Sequence, residues 1–278
     1  MKKTILVATI GALTLGVNAG DWGKAPVDKT PIEECVDLGG KISAGYMTDY
    51  IFKGVRLAGD SAWTDVNYTT DALPIPVTVG VWYLNGINED GLGGGFDELD
   101  LYASAALGTF AGFDVSLDYT HRIYPEVRSN GLAVPATRGI GYGELGLDVK
   151  RSLGFADVLF QSNYAMGGLF NGWYHQLGLE RSFDLTDNID LVLGAGVGYS
   201  DNYFHPLAPN GETPRDSGWN HYYVTASLPI QLNCRTTLTP YVGYVGGPDS
   251  WIADGINPTA VDPQSDVIHG GVSLSVSF

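Results

Sequence analysis

Long hydrophobic runs are what this chain of 278 residues has least of. One charge-free apolar stretch, Ile5 to Val17, stands out. It falls short of the roughly 20 consecutive apolar residues that a spanning helix needs, so any membrane crossing must be made by strands. Basic residues are scarce too. The 15 Lys and Arg face 31 Asp and Glu, for a net charge of −16. That is the wrong sign for holding a phosphate backbone, which excludes nucleic acid as a partner. Methionines number three and cysteines two, Cys35 and Cys234. No Pro- or Ser-rich linker divides the chain.

What is present starts with Met1-Lys2-Lys3, the apolar run, and the small-residue site Val17-Asn18-Ala19. This reads as a signal peptide over residues 1–19, with the mature chain starting at Gly20. Cleavage would leave 13 basic against 31 acidic residues, a net charge of −18 (13 − 31). The 38 glycines and 16 tyrosines, with only 17% charged residues, suit short strands and turns better than packed helices.

Period-two patterning then recurs along the chain. The final segment places Ile268, Val272, Leu274 and Val276 on one face and Ser273, Ser275 and Ser277 on the other, and ends on Phe278. About twelve such segments are countable: 40–52, 62–71, 76–85, 97–108, 113–124, 141–151, 156–166, 172–183, 189–201, 218–231, 235–246 and 266–278. Each is near the 9 to 11 residues of a tilted membrane strand. Taken alternately, the connections divide by length. Asp71 to Pro76, Gly108 to Phe113, Ser152 to Ala156, Asp184 to Asn188 and Gln231 to Arg235 are short, while Asn85 to Phe96, Pro125 to Gly141, Asn202 to Ser217 and Gly246 to Ser265 are long. Short periplasmic turns and long outer loops mark outer-membrane barrels.

The expected fold is therefore all-β, a transmembrane antiparallel up-and-down β-barrel of about 12 strands over residues 39–278, after a short periplasmic segment at 20–38. Expected partners are outer-membrane lipid, lipopolysaccharide and the barrel-assembly machinery, with Phe278 as the assembly signal. Trp63, Trp82, Tyr124, Trp173, Tyr199, Trp219, Tyr241 and Tyr244 fall near predicted strand ends and are expected at the headgroup level.

Strand parity also yields candidate lumen residues. Phe113, Val115, Leu117 and Tyr119 share one face and Asp114, Ser116, Asp118 and Thr120 the other. Extended to every strand, parity places Asp49, Asp100, Asp114, Asp118, Arg122, Glu144, Asp148, Lys150, Glu180 and Asp190 inside. Acid outweighs base, and carboxylate rings favour cations. The competing reading is that Arg122 and Lys150 pair with carboxylates across strands and stabilise the wall. Inward Gly194, Gly196, Gly198, Ser200, Gly271, Ser273, Ser275 and Ser277 leave room for water, whereas Tyr102, Tyr142 and Tyr174 would fill it.

Enzymatic chemistry finds little support. None of His121, His175, His205, His221 and His269 has Ser two residues on. Ser162 and His175 fall on neighbouring strands, but no orienting carboxylate or amide is evident beside them. The segment Asn88 to Glu98 is rich in oxygen ligands but fails the EF-hand spacing, and it reads as a solvated loop. No metal, cofactor or catalytic residue is expected. Cys35 and Cys234 both fall at the predicted periplasmic end, where barrel closure would bring them near each other, leaving a disulfide or two free thiols as the alternatives.

The segment Ile42 to Gly54, with Thr48-Asp49-Tyr50-Ile51-Phe52-Lys53-Gly54 at its end, resembles the TorF-type porin family, in which a strand ends in a Ser-Asp-Tyr-x-Phe-Arg-Gly type motif. Gly80-Val81-Trp82-Tyr83, Glu98-Leu99-Asp100-Leu101-Tyr102 and Tyr124-Pro125 extend the resemblance over the first half of the mature chain. It implies a porin in the outer membrane, passing ions or small polar solutes, and with the acidic lumen a weak cation preference. The alternative is a closed structural or surface-binding barrel.

Overall fold

The computed structural model describes residues 38–87, 96–125, 140–167, 170–204, 217–248, 251 and 266–278. The strands, in chain order, are β1 (Gly40–Met47), β2 (Tyr50–Phe52), β3 (Val55–Ala58), β4 (Ser61–Thr70), β5 (Val77–Gly86), β6 (Asp97–Phe110), β7 (Phe113–Tyr124), β8 (Ile140–Ser152), β9 (Asp157–Ala165), β10 (Gly172–Thr186), β11 (Ile189–Asp201), β12 (Ser217–Ser227), β13 (Ile230–Gln231), β14 (Thr236–Gly246) and β15 (Asp266–Ser277). All pair antiparallel, each with its neighbour along the chain, apart from the excursion of β2 and β3. The two-residue β13 continues the line of β12 past Pro229, where the missing N–H interrupts the ladder.

The sheet closes on itself. β1 pairs with β4 on one side and β15 on the other, with Ile42 opposite both Val66 and Val276. The Phe278 N–H donates to the Gly40 carbonyl at 2.9 Å, and its own carbonyl accepts from the Leu38 and Gly40 N–H groups at 3.0 and 3.1 Å. Twelve strands thus form the wall, with no exposed edge.

Alternation runs as the sequence predicts. Val66, Val79, Val81, Leu117, Leu145, Leu177, Leu193, Val224, Val242 and Leu274 face outward and are exposed, while Ser104, Ser116, Asp118, Thr120, Asn163 and Ser200 face inward and are buried. An apolar outside around a polar inside is stable only where lipid is the outer solvent. Among the described residues no helix is long and apolar enough to cross a membrane.

Two expectations are corrected. The first predicted strand, 40–52, ends at Met47, and the chain then leaves the wall as the hairpin of β2 and β3. Lys53 and Gly54 form its two-residue turn, both with positive φ (48° and 85°), the geometry of a tight β-hairpin. Several supposed headgroup anchors also turn inward. Trp82 and Tyr124 are buried, and Trp63 and Tyr241 pack against the same inner cluster. Trp173 and Trp219 are outward and exposed as expected.

Candidate functional site

The hairpin folds into the lumen because its side chains are apolar and find apolar partners there. Met47, Tyr50, Phe52, Val55, Leu57 and Ala58 are all buried, in one cluster with Trp82, Leu84, Phe96, Tyr124, Tyr142, Phe170, Tyr174, Tyr203 and Phe204. The rings form a continuous chain: Tyr50 to Trp82 and to Phe96 at 5.7 Å, Phe96 to Tyr124 at 5.6 Å, and Tyr142 and Tyr203 each to Phe170 at 5.3 Å. Each such pair adds about 0.5–1.5 kcal/mol beyond its buried area. The result is an aromatic plug at the end of the barrel that carries the long connections.

The plug closes over a buried charge cluster. Arg122, on β7, is fully buried and meets three carboxylates: Glu144 at 2.9 Å, Asp100 at 3.3 Å and Glu98 at 3.4 Å. Its guanidinium also lies 4.9 Å from the centre of the Phe52 ring. From the hairpin tip, Lys53 reaches Glu144 at 3.1 Å, and its ammonium sits 4.7 Å from the Tyr174 ring centre and 5.1 Å from that of Tyr203. Burial draws the Lys53 ammonium below its usual range, opposed by the Glu144 carboxylate. Tyr203 donates to the other Glu144 oxygen. On the far wall, the Asn220 amide donates to the Lys53 carbonyl at 2.5 Å. A side chain at Gly54 would run into the His221 ring. The hairpin therefore bridges the lumen, from its base between β1 and β4 to β7, β8, β10 and β12.

The predicted lumen residues divide among several environments. Arg122, Asp100 and Glu144 come together in the cluster, joined by Glu98, which parity could have supplied from β6. Asp49 leaves the wall with the hairpin and pairs with Arg56 at 2.6 Å. Asp118 and Asp148 lie on adjacent strands below the plug, Asp118 opposite Gly146 and Asp148 two residues further along β8. Lys150 pairs with Asp157 at 2.6 Å. Asp114 accepts from Thr109 near the short-turn end, Asp190 stands opposite Asp184 at that end, and Glu180 stands opposite Asp157. Both Arg122 and Lys150 thus make the cross-strand pairs of the wall-stabilising reading.

Sequence reasoning missed the roles of Lys53, Phe52 and Tyr203. The signal available was Lys53-Gly54 followed by apolar Val55 and Leu57, a hairpin turn between apolar runs.

Ser162 and His175 do stand opposite each other on β9 and β10. His175 lies between the Phe160 and Trp173 rings, 6.3 and 5.9 Å away by centroid. Among the described residues no group of three His, Cys, Asp or Glu side chains is placed to hold a metal. The Asn88 to Gly95 part of the oxygen-rich loop, His205 and Cys35 lie outside the described residues. Cys234 lies in the connection between β13 and β14.

No family model matches the sequence, and no curated protein sequence is similar to it. Solved structures are. An outer membrane channel from Pseudomonas putida F1 superposes with a TM-score of 0.56 at 11% identity, covering 91% of this chain and 100% of that one. LpxR from Salmonella typhimurium gives 0.50 at 10% identity, over 86% of this chain and 100% of its own. The KdgM porin gives 0.49 at 8% identity, over 86% and 99%. At these identities the likeness is one of fold, that of the outer-membrane β-barrel.

Proposed function

We propose that the protein is an outer-membrane porin, a passive pore for ions or small polar solutes with a weak preference for cations, and that it belongs to the TorF-type porin family its first strands resemble. The observation that carries this reading is the polar lining of the lumen wall. Ser104, Asp118, Thr120, Asn163, Ser200 and Ser227 are inward and buried, and each has a polar atom with no protein partner. Polar groups in such positions are costly unless water reaches them, so a hydrated lumen suits the wall better than a packed one. Gly194, Gly196, Ser273 and Ser275 add no bulk on the opposite strands. In this reading residues 1–19 direct export, the short turns face the periplasm, and the contacts of the outer face are lipid and lipopolysaccharide, reached through the barrel-assembly machinery. No catalytic residue is assigned.

A second reading is favoured by the plug itself. With Phe52 and Lys53 bridging the lumen, the barrel as it stands suits a closed structural or surface-binding role. Twelve strands lie between the side-chain-filled eight and the channel-forming sixteen, so strand number does not decide.

Single-channel recording of the refolded mature chain in planar bilayers tests the two. Conductance steps whose reversal potential in a salt gradient shows cation preference, weakened in the Asp114→Asn/Asp118→Asn variant, support the porin. A folded barrel that stays silent, even with residues 49–59 replaced by a short glycine turn, supports the closed reading. Clear anion preference would sink the selectivity proposed.

A further inference from the structure

Two lumen carboxylates, Asp118 buried and Asp148 half-buried, have no salt bridge among the described residues. Asp118 on β7 and Asp148 on β8 make no ion pair with any described residue, because Lys53 and Arg122 are engaged by Glu144, Glu98 and Asp100, and Lys150 by Asp157. Yet the Asp118 carboxylate lies over Gly146, two residues from Asp148 on β8 and on the same inward face, and Asp118 has one oxygen, Oδ1, buried without a partner. Two facing carboxylates out of bulk water repel each other strongly and cannot both stay charged without a counterion.

The neighbouring strand supplies neutral oxygens. Asp118 and Asn163 both stand opposite Gly146, on β7 and β9 respectively. A side chain at 146 would coincide with the Asp118 carboxylate, so the glycine lets that carboxylate lie across β8 toward β9. There Asn163 is 2% exposed, and its Oδ1 has no partner. Gln161 stands opposite Asp148 on β9, on the same inward face as Asn163.

We propose that Asp118, Asp148, Asn163 and Gln161 form a binding site for a hard divalent cation, of which calcium is the probe, reached through the lumen. Two carboxylates and two amide oxygens match the ligand chemistry such ions take, and the remaining positions are open to water. Their combined charge of minus two is neutralised by one divalent ion. The site depends on the barrel geometry and not on conduction, so it stands or falls independently of the porin reading.

The test is calcium titration of the refolded mature chain in detergent, by calorimetry and by thermal melting. About 0.15 M salt is present to screen exposed loop carboxylates. The native chain is expected to bind calcium and to melt higher with it than with chelator. Asp118→Asn and Asn163→Leu, each shown to be folded by its heat-modifiable gel mobility, should lose this binding or weaken it about tenfold or more. Asp114→Asn, near the short turns, should bind as the native chain does. Asp118→Asn should also melt higher than the chelated native chain, because it relieves the repulsion. Equal calcium binding by all four proteins would overturn the site. So would a native chain whose melting depends on pH but not on calcium, since the two carboxylates would then share a proton instead.

Discussion

Lys53 Nζ lies 3.1 Å from Glu144 Oε1, and both side chains are almost wholly buried. One belongs to the hairpin tip and the other to the wall, so this pair joins the plug to the barrel. Removing one partner of a buried pair costs about 3–5 kcal/mol, mostly because the other charge is left behind. Here Arg122 also holds Glu144, at 2.9 Å, so the wall survives and the hairpin bears the loss. Lys53→Met is expected to loosen the hairpin while leaving the barrel folded. Bilayer recording should then show longer open times than the native chain, and limited proteolysis should cut within residues 48–60.

The same plug can be held in place. A Cβ built on Gly86, at the end of β5, would lie 3.8 Å from the Cβ of Ala58 on β3, the mean separation in a disulfide. The Ala58→Cys/Gly86→Cys variant is therefore expected to crosslink on mild oxidation. Conductance should fall when the bond forms and return on reduction, with the native chain treated alike as the control. A crosslinked variant that conducts like the native chain would show that ions pass beside the hairpin without displacing it.

Arg122 is the most heavily used charge among the described residues. It is fully buried and contacts Glu98, Asp100 and Glu144, of which Glu144 alone also pairs with Lys53, so Arg122→Leu would take the salt bridge from Glu98 and Asp100. The expected loss is at least the 3–5 kcal/mol of a single broken buried pair. It should appear as a lower temperature for loss of the heat-modifiable form on gels. Adding Glu98→Gln to that variant should restore part of the loss, because it removes one of the stranded charges. A second substitution with no effect would show that Glu98 was balanced elsewhere.

The wall was legible in the sequence because a membrane barrel writes its geometry at period two. The predicted segment 113–124 and β7 coincide, as do 189–201 and β11, since every outward residue must be apolar and the turns must break the pattern. The plug was not. Tyr50 and Phe52 continue the alternation of Ile42, Ala44 and Tyr46, so nothing local to 40–52 separates a strand that ends at Met47 from one that runs on. Burial inside the lumen asks for the same apolar side chains that lipid does, and only the Lys53-Gly54 turn tells them apart. Register was equally hidden. That Asp118 and Asn163 share Gly146 as their neighbour depends on how three strands slide past one another, which parity leaves undetermined.

The cysteines give the remaining prediction. Cys234 lies in the connection after β13, at the barrel end where Phe278 closes against Gly40. Leu38, three residues after Cys35 in the sequence, donates its N–H to the Phe278 carbonyl at 3.0 Å at that same end. An oxidising compartment favours a bond between them. Its expected role is to fasten the N-terminal segment beneath the barrel, not to close the wall, because β1 and β15 already pair along their length. A thiol-reactive label should therefore modify the unfolded protein only after reduction. Cys234→Ser should leave the heat-modifiable barrel intact while making residues 20–37 more open to protease. Labelling of the unreduced, unfolded chain at both cysteines would show two free thiols instead.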